Sequence, residues 1–191
     1  MDVHALVGEV EEVFNAVADM TIQVGLHSGL ACPPGCGRCC NNPAIDVYPI
    51  EFLPLAVHLH DTGNAELFLE GIAHQEAGLC PLYQPAGMGC CTAHQYRGLI
   101  CRLMGYSAMR NKHGQRKLIA CSVFKEGQPE QILLAEKYLE STDAPFASQF
   151  YDRLVYLCPS LAAGPIPIKQ AIQKAIEYVG HRAYYKREAE G

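Results

Sequence analysis

Four cysteines fall within nine residues of the stretch A-C-P-P-G-C-G-R-C-C-N-N (31–42): Cys32, Cys36, Cys39 and Cys40. A second group follows at Cys80, Cys90, Cys91, Cys101 and Cys121, and Cys158 stands apart. Thiolates in such density are ligands for zinc, iron–sulfur clusters or Cu(I). The spacing of Cys36 and Cys39 lets two sulfurs converge on one ion, and Gly37 between them permits the tight turn this needs. The two groups are therefore expected to fold together around a metal centre. Eight or more clustered thiols supply either two four-sulfur sites or one cluster with spare thiols. A disulfide framework is the competing use of ten cysteines, but it belongs to secreted chains. The opening M-D-V-H-A-L-V-G-E-V-E-E has neither the basic start nor the continuous apolar run of a secretory leader, so a reducing cytoplasmic setting is expected. Adjacent cysteines also bridge each other only with strain. Cys158, in the helical pattern Y-D-R-L-V-Y-L-C, reads as a core cysteine.

Charge separates the same regions. No Asp or Glu occurs from Ala77 to Lys125, while Arg97, Arg102, Arg110, Lys112, Arg116, Lys117 and Lys125 give that stretch +7. The chain totals −5, so the remainder carries −12. Cations beside thiols favour the thiolate form that binds metal. A patch for an anionic partner is the rival use of the same charge. The global balance argues against nucleic acid. No apolar run approaches the roughly 20 residues needed to span a bilayer, so no membrane partner is expected.

The elements that must position these thiols are mostly helices. Apolar residues from Leu6 to Val24 recur at threes and fours, which predicts a helix over 3–26, closed by Gly25 and Gly29. Residues 44–48 suggest a short strand. Pro49 suits the first turn of a helix through Glu51, Phe52, Leu55 and Leu59. Asn64 is placed to cap a helix over 65–77 with Leu67, Phe68 and Ile72 inward. Residues 78–89 are turn-rich, and 92–106 read as a short helix or irregular backbone. A hairpin is expected around His113-Gly114, with L-I-A-C (118–121) as a short strand. Helices follow over about 129–139, 144–157 and 168–185. The expected fold is mainly α with minimal β. An N-terminal helix (1–29) and C-terminal helices (126–191) wrap an irregular cysteine-rich region (30–125) in one compact domain.

The run C-P-P-G-C-G-R-C-C, then C-P-L-Y, then C-C-T-A-H-Q-Y-R-G-L-I-C-R-L-M-G-Y, then A-C-S-V-F, resembles the YkgJ-type cysteine-cluster family over about residues 30–125. The resemblance implies a zinc- or iron-chelating domain. Its metal-binding cysteines would be Cys32, Cys36, Cys39 and Cys40 in the knot, with Cys80, Cys91, Cys101 and Cys121 after it. Arg97 and Arg102 match the family's arginines and are candidates to contact a cluster or its thiolates. The first gap of the knot is three residues rather than two, and Thr92-Ala93-His94 replaces an apolar-aromatic pair. His94 is thus a ligand, a residue supporting one, or a solvated side chain. Cys32, Cys36 and Cys39 share the spacing of the radical-SAM loop, but Arg38 stands where that pattern places an aromatic.

Other residues carry blander readings. His58 and His60 diverge on a helix and belong at the surface. Glu51 falls where the family also tends to carry an acid; it bonds a site amide, ligates iron, or caps the first helical turn, the last being the expected role. Tyr83, Tyr96 and Tyr106 are expected to pack around the site. The leading expectation is a protein carrying an iron–sulfur cluster, 4Fe–4S, in a redox or cluster-dependent role with a redox or protein partner. The alternatives are a structural zinc module for binding other proteins, or metal storage and trafficking. Some family members resemble a protein-lysine methylase that works on flagellin, which allows an enzymatic use, although no catalytic residues are legible here.

Overall fold

The computed structural model describes residues 2–42, 45–75, 78–85 and 89–190, with 183–190 described by their backbone alone. In chain order the elements are α1 (Val3–Ser28), β1 (Asp46–Val47), α2 (Leu53–Asp61), α3 (Ala65–Ala73), β2 (Tyr83–Gln84), β3 (Cys90–Cys91), α4 (Leu99–Leu103), β4 (Ala108–Arg110), β5 (Arg116–Leu118), α5 (Ser122–Gly127), α6 (Pro129–Glu140), α7 (Ala147–Leu157), β6 (Ile166–Pro167) and α8 (Ile168–Glu190). The fold is mainly α. Among the described residues its strands form three separate antiparallel pairs, β1 with β6, β2 with β3 and β4 with β5.

The stripe read from the sequence is the buried face of α1: Leu6, Val10, Val13, Phe14, Val17, Met20 and Val24. It packs against α6, α7, α2 and α4. Gly29 ends the helix with φ +70°, a left-handed turn that suits glycine, and its N–H reaches the Gly25 carbonyl. On the far side α8 buries Ala171, Ile172, Ala175 and Ile176 against α2 and the 3-10 turn Pro49–Phe52. One apolar core runs through both, drawing residues from Leu6 to Val179.

Several elements differ from expectation. α3 stops at Ala73, and residues 76 and 77 of the expected helix lie outside those described. Leu67 is 69% exposed rather than inward. Asn64 precedes α3, but its side chain bonds the Thr62 hydroxyl instead of capping. The first hairpin strand begins at Ala108, and the second ends at Leu118. Ile119 to Cys121 are therefore not strand, because Cys121 already serves as the N-cap of the unanticipated helix α5. Ala44 of the expected first strand is also outside the described residues, as are 86–88 of the turn-rich stretch.

Candidate metal centre

The knot is held in place from outside itself. The side chain of Gln128, in the junction between α5 and α6, accepts from Ala31 N at 3.1 Å and donates to Ala31 O at 2.8 Å. This pairing across 97 residues fixes where the knot begins, and no spacing pattern in the sequence points to it. Within the knot the backbone turns on itself: Cys36 N donates to Pro33 O, and Cys40 N and Asn41 N both donate to Gly37 O. Gly35 takes the left-handed turn of the knot at φ +70° and Gly37 does not, so Gly37 serves by its missing side chain rather than by the backbone freedom expected of it. A Cβ there would lie 2.7 Å from the Tyr83 ring, 2.8 Å from the Gly89 carbonyl carbon and 3.0 Å from Cys90 N. The absent side chain lets β3 come against the knot.

From there the cysteines divide. Cys32, Cys36, Cys39, Cys101 and Cys121 line one cavity of about 220 Å³, together with Arg97, Arg102 and Tyr106, and with Thr21 and Ile22 of α1. Cys32 is exposed, whereas Cys36, Cys39 and Cys121 are half-buried. Cys40 turns away from this cavity. It is 8% exposed, and its thiol is hydrogen-bonded to those of Cys80, itself 5% exposed, and Cys91. Backbone bonds hold the segments of this inner group: Cys80 N donates to Cys40 O at 3.3 Å, and β2 pairs Tyr83 with Cys91. Cys101, on α4, adjoins both groups; after burial, Cys40 acts on it most strongly, and Cys39 also acts. All eight cysteines expected at the centre are thus gathered there. None of the shifted thiols is acted on chiefly by Cys90, and all ten cysteines are free thiols.

Burial and crowding make five of these thiols reluctant to ionise. Burial and the neighbouring Cys36 and Cys39 push Cys32 up to about 11. The Cys80 thiol pushes Cys40 up to about 12, and burial does the same for Cys101. Cys91 is raised by its bond to Cys40 and by burial, and Cys39 by burial and Cys121. Arg97 pulls Cys39, Cys91 and Cys101 the other way. A dication would repay this repulsion and displace the protons. The donor set therefore fits a thiophilic metal. Among the described residues, no three Cys, His, Asp or Glu side chains already form a closed ligand shell, so loading has to turn thiols inward.

The arginines are anchored differently from simple sulfur donors. Arg102 donates from Nε to Arg97 O at 2.9 Å and from Nη2 to Gln95 O, and its guanidinium lies 4.4 Å above the Phe14 ring. Arg97 donates to His94 O. Both still line the cavity. Three more cations of the basic stretch are used elsewhere: Arg110 and Arg116 lie over the Phe146 ring, and Lys117 pairs with Glu136 at 2.9 Å.

Glu51 is fully buried. One carboxylate oxygen accepts from Tyr48 N at 2.7 Å, the expected capping role, and the other accepts from Leu99 N at 2.6 Å. The second bond fixes the start of α4, which carries Cys101. Gly98 makes room for it, because a Cβ there would lie 2.9 Å from the carboxylate oxygen. Tyr106 lines the cavity, and Tyr83 packs on Gly37 and Gly89. Tyr96 instead stacks on the exposed His58, outside the cysteine cavity. His60 reaches the Ile176 carbonyl. The His94 side chain is exposed, and only its carbonyl serves the site. Cys158 is half-buried at the end of α7, at the edge of the core rather than within it. Among the described residues, no helix is long and apolar enough to cross a membrane.

The family model CxxCxxCC, described as "putative zinc- or iron-chelating domain", matches residues 31–134. That span covers the knot, both cysteine groups, Gln128 and the first half of α6. No curated protein and no solved structure matches the chain.

Proposed function

The chain belongs to this zinc- or iron-chelating family, and on that premise we propose that it carries a thiolate-ligated iron–sulfur cluster, 4Fe–4S, in a redox or cluster-dependent role. One observation carries the reading: thiols and two guanidinium groups surround a cavity instead of meeting at a point. A tetrahedral zinc ion with bonds of about 2.3 Å draws its sulfurs to about 3.8 Å from one another. A polynuclear cluster needs its thiolates spread around a volume. Cys32, Cys36, Cys39 and Cys121 would hold it.

The bound cluster would supply one-electron chemistry. The chain supplies its setting. Arg97 and Arg102 offset the negative charge of the thiolates, and the Phe14 ring and backbone carbonyls hold Arg102 in place. Tyr106, Met104 and Phe124 keep part of the cavity wall apolar, which favours the less charged redox state. Cys32 is exposed, so a redox or protein partner would approach from that side.

Anaerobic purification followed by iron and acid-labile sulfide determination tests this. Brown protein with about four of each per chain is expected, with loss of both in Cys39→Ser. Colourless protein with zinc alone would replace the cluster by a structural zinc module.

A further inference from the structure

We propose that Cys40, Cys80, Cys91 and Cys101 form a second and separate metal site, a mononuclear four-thiolate zinc site lying behind the cluster cavity. The inference rests on the metal-binding reading of the chain, but not on whether the cavity holds a cluster. Its first support is the direction of Cys40. Adjacent residues of a turn cannot easily direct both sulfurs to one tetrahedral ion, and here they separate. Cys39 lines the cavity, whereas Cys40 is buried against Cys80 and Cys91.

The second support is how the donors are fixed. The inner segments are joined by backbone bonds that require no metal: Cys80 N to Cys40 O, Tyr83 N to Cys80 O, Thr92 N to Leu82 O, and the β2–β3 pairing that carries Cys91. The Thr92 hydroxyl adds a further bond to Leu82 O at 3.1 Å. The fourth donor, Cys101, lines the cluster cavity and also adjoins Cys40, so it stands between the two sites, on α4, whose start is tied down by Glu51.

The third support is which thiols meet. The Cys40 thiol hydrogen-bonds directly with those of Cys80 and Cys91. A single tetrahedral ion with bonds of about 2.3 Å draws its sulfurs to about 3.8 Å from one another. Among the described residues these thiols do not yet form a ligand shell, and loading would close them around one ion from their contacts at Cys40, whereas the outer ones surround a volume. Binding Zn²⁺ replaces the thiol protons, which leave to solvent, and no redox change is involved. The four inner donors come from the knot, the loop at Cys80, β3 and α4. One ion would tie these four short segments together and set the back wall of the cluster cavity.

Zinc, iron and sulfide are measured in the full chain purified anaerobically from zinc-replete cells. One zinc per chain is expected beside the iron. The double variant Cys80→Ser/Cys91→Ser should lose the zinc, and Cys32→Ser/Cys121→Ser should keep it while losing iron and sulfide. The inner variant may fail to fold, so the wild-type chain is also treated with an oxidant and chelator that dismantle iron–sulfur clusters. Iron and sulfide should leave and one zinc should remain. Refilling the zinc-free chain with Co²⁺ should then give the visible absorption of a tetrahedral thiolate site. Iron and sulfide without zinc would overturn the inner site and leave the cluster standing. Zinc that follows the inner pair, with no iron or sulfide, would do the reverse. Zinc lost equally from both double variants would refute the partition.

Discussion

Along α8, Ala171, Ile172, Ala175 and Ile176 are buried to 1% exposure or less, on a helix of 23 residues that packs along α2. Between 31 and 42 the described backbone forms neither helix nor strand, and from 78 to 98 the described residues offer two strands of two residues and one 3-10 turn. The helical flank can hold its shape by burying apolar area at roughly 25 cal/mol per Å². The cysteine centre has little such area, and its thiols oppose one another when ionised. What it has instead is close backbone approach at Gly37 and Gly98, a Gln128 clamp, and donors that await a metal. The difference teaches that stability and metal loading in this chain should be separable, and substitutions can test where that separation fails.

The largest effect is expected on the flank. Ile176→Ala removes a side chain that is 1% exposed, and a cavity at such a site costs about 2–5 kcal/mol. Denaturant unfolding of metal-free protein should register that loss, while metal content per folded chain stays unchanged. A parallel fall in metal content would mean that the two regions are one cooperative unit.

Glu51 is the link between them, and its effect should depend on pH. Burial pushes its carboxyl up to about 7 from the ordinary 4.5, against the pull of the Tyr48, Leu99 and Ile100 amides. The folded chain then holds a proton that the unfolded chain has released across that window. Stability from this group is therefore full below about 4.5, falls as pH rises to about 7, and is level above. The size of the fall is about 3 kcal/mol. The stability of wild type minus that of Glu51→Gln, measured by denaturant titration at pH 4.5, 6 and 7.5, should drop across this range. A flat difference would show that the carboxyl titrates normally.

How much of this was legible follows from the same contrast. The α1 stripe, the start of α6 at Pro129 and the face of α8 were readable because apolar period and proline position are local properties. The eight gathered cysteines were readable by residue type and family pattern, since few other uses explain such density. Their division was only partly readable. The difficulty of placing adjacent Cys39 and Cys40 on one tetrahedral ion leads one to expect a knot sulfur that looks elsewhere, but not that it is Cys40 or that it faces Cys80 and Cys91. The Gln128 clamp and the bond from Leu99 N to Glu51 join residues 97 and 48 positions apart, and no local pattern encodes such pairings. Leu67 was misplaced because α3 is a two-turn helix whose only fully buried positions are Ala65 and Ile72, too few to fix a face by period.

Gly37→Ala probes the centre directly. The new methyl would press on the Tyr83 ring and on the backbone of Gly89 and Cys90. The ring can turn, but the backbone of β3 has to retreat, at about 1–3 kcal/mol. Because β3 carries Cys91, metal content should fall along with stability, unlike the outcome at Ile176. Loading equal to wild type would show that β3 does not need to approach the knot.

The smallest effect is expected at Cys158, and it marks where the cysteine centre ends. Its thiol lies 3.3 Å from the Ser160 hydroxyl and 3.8 Å from that of Tyr178. Those hydroxyls, the Leu161 amide and Arg182 outweigh burial and lower its pKa. Cys32, Cys39, Cys40, Cys91 and Cys101 of the centre shift upward, so Cys158 answers to a different environment. It is half-buried at the end of α7, and truncation there removes one polarisable atom from the edge of the core. Cys158→Ala should cost under about 1 kcal/mol and leave iron, zinc and sulfide contents at wild-type values. Loss of metal in this variant would extend the centre to the C-terminal helices and remove the boundary on which the contrast between the two regions depends.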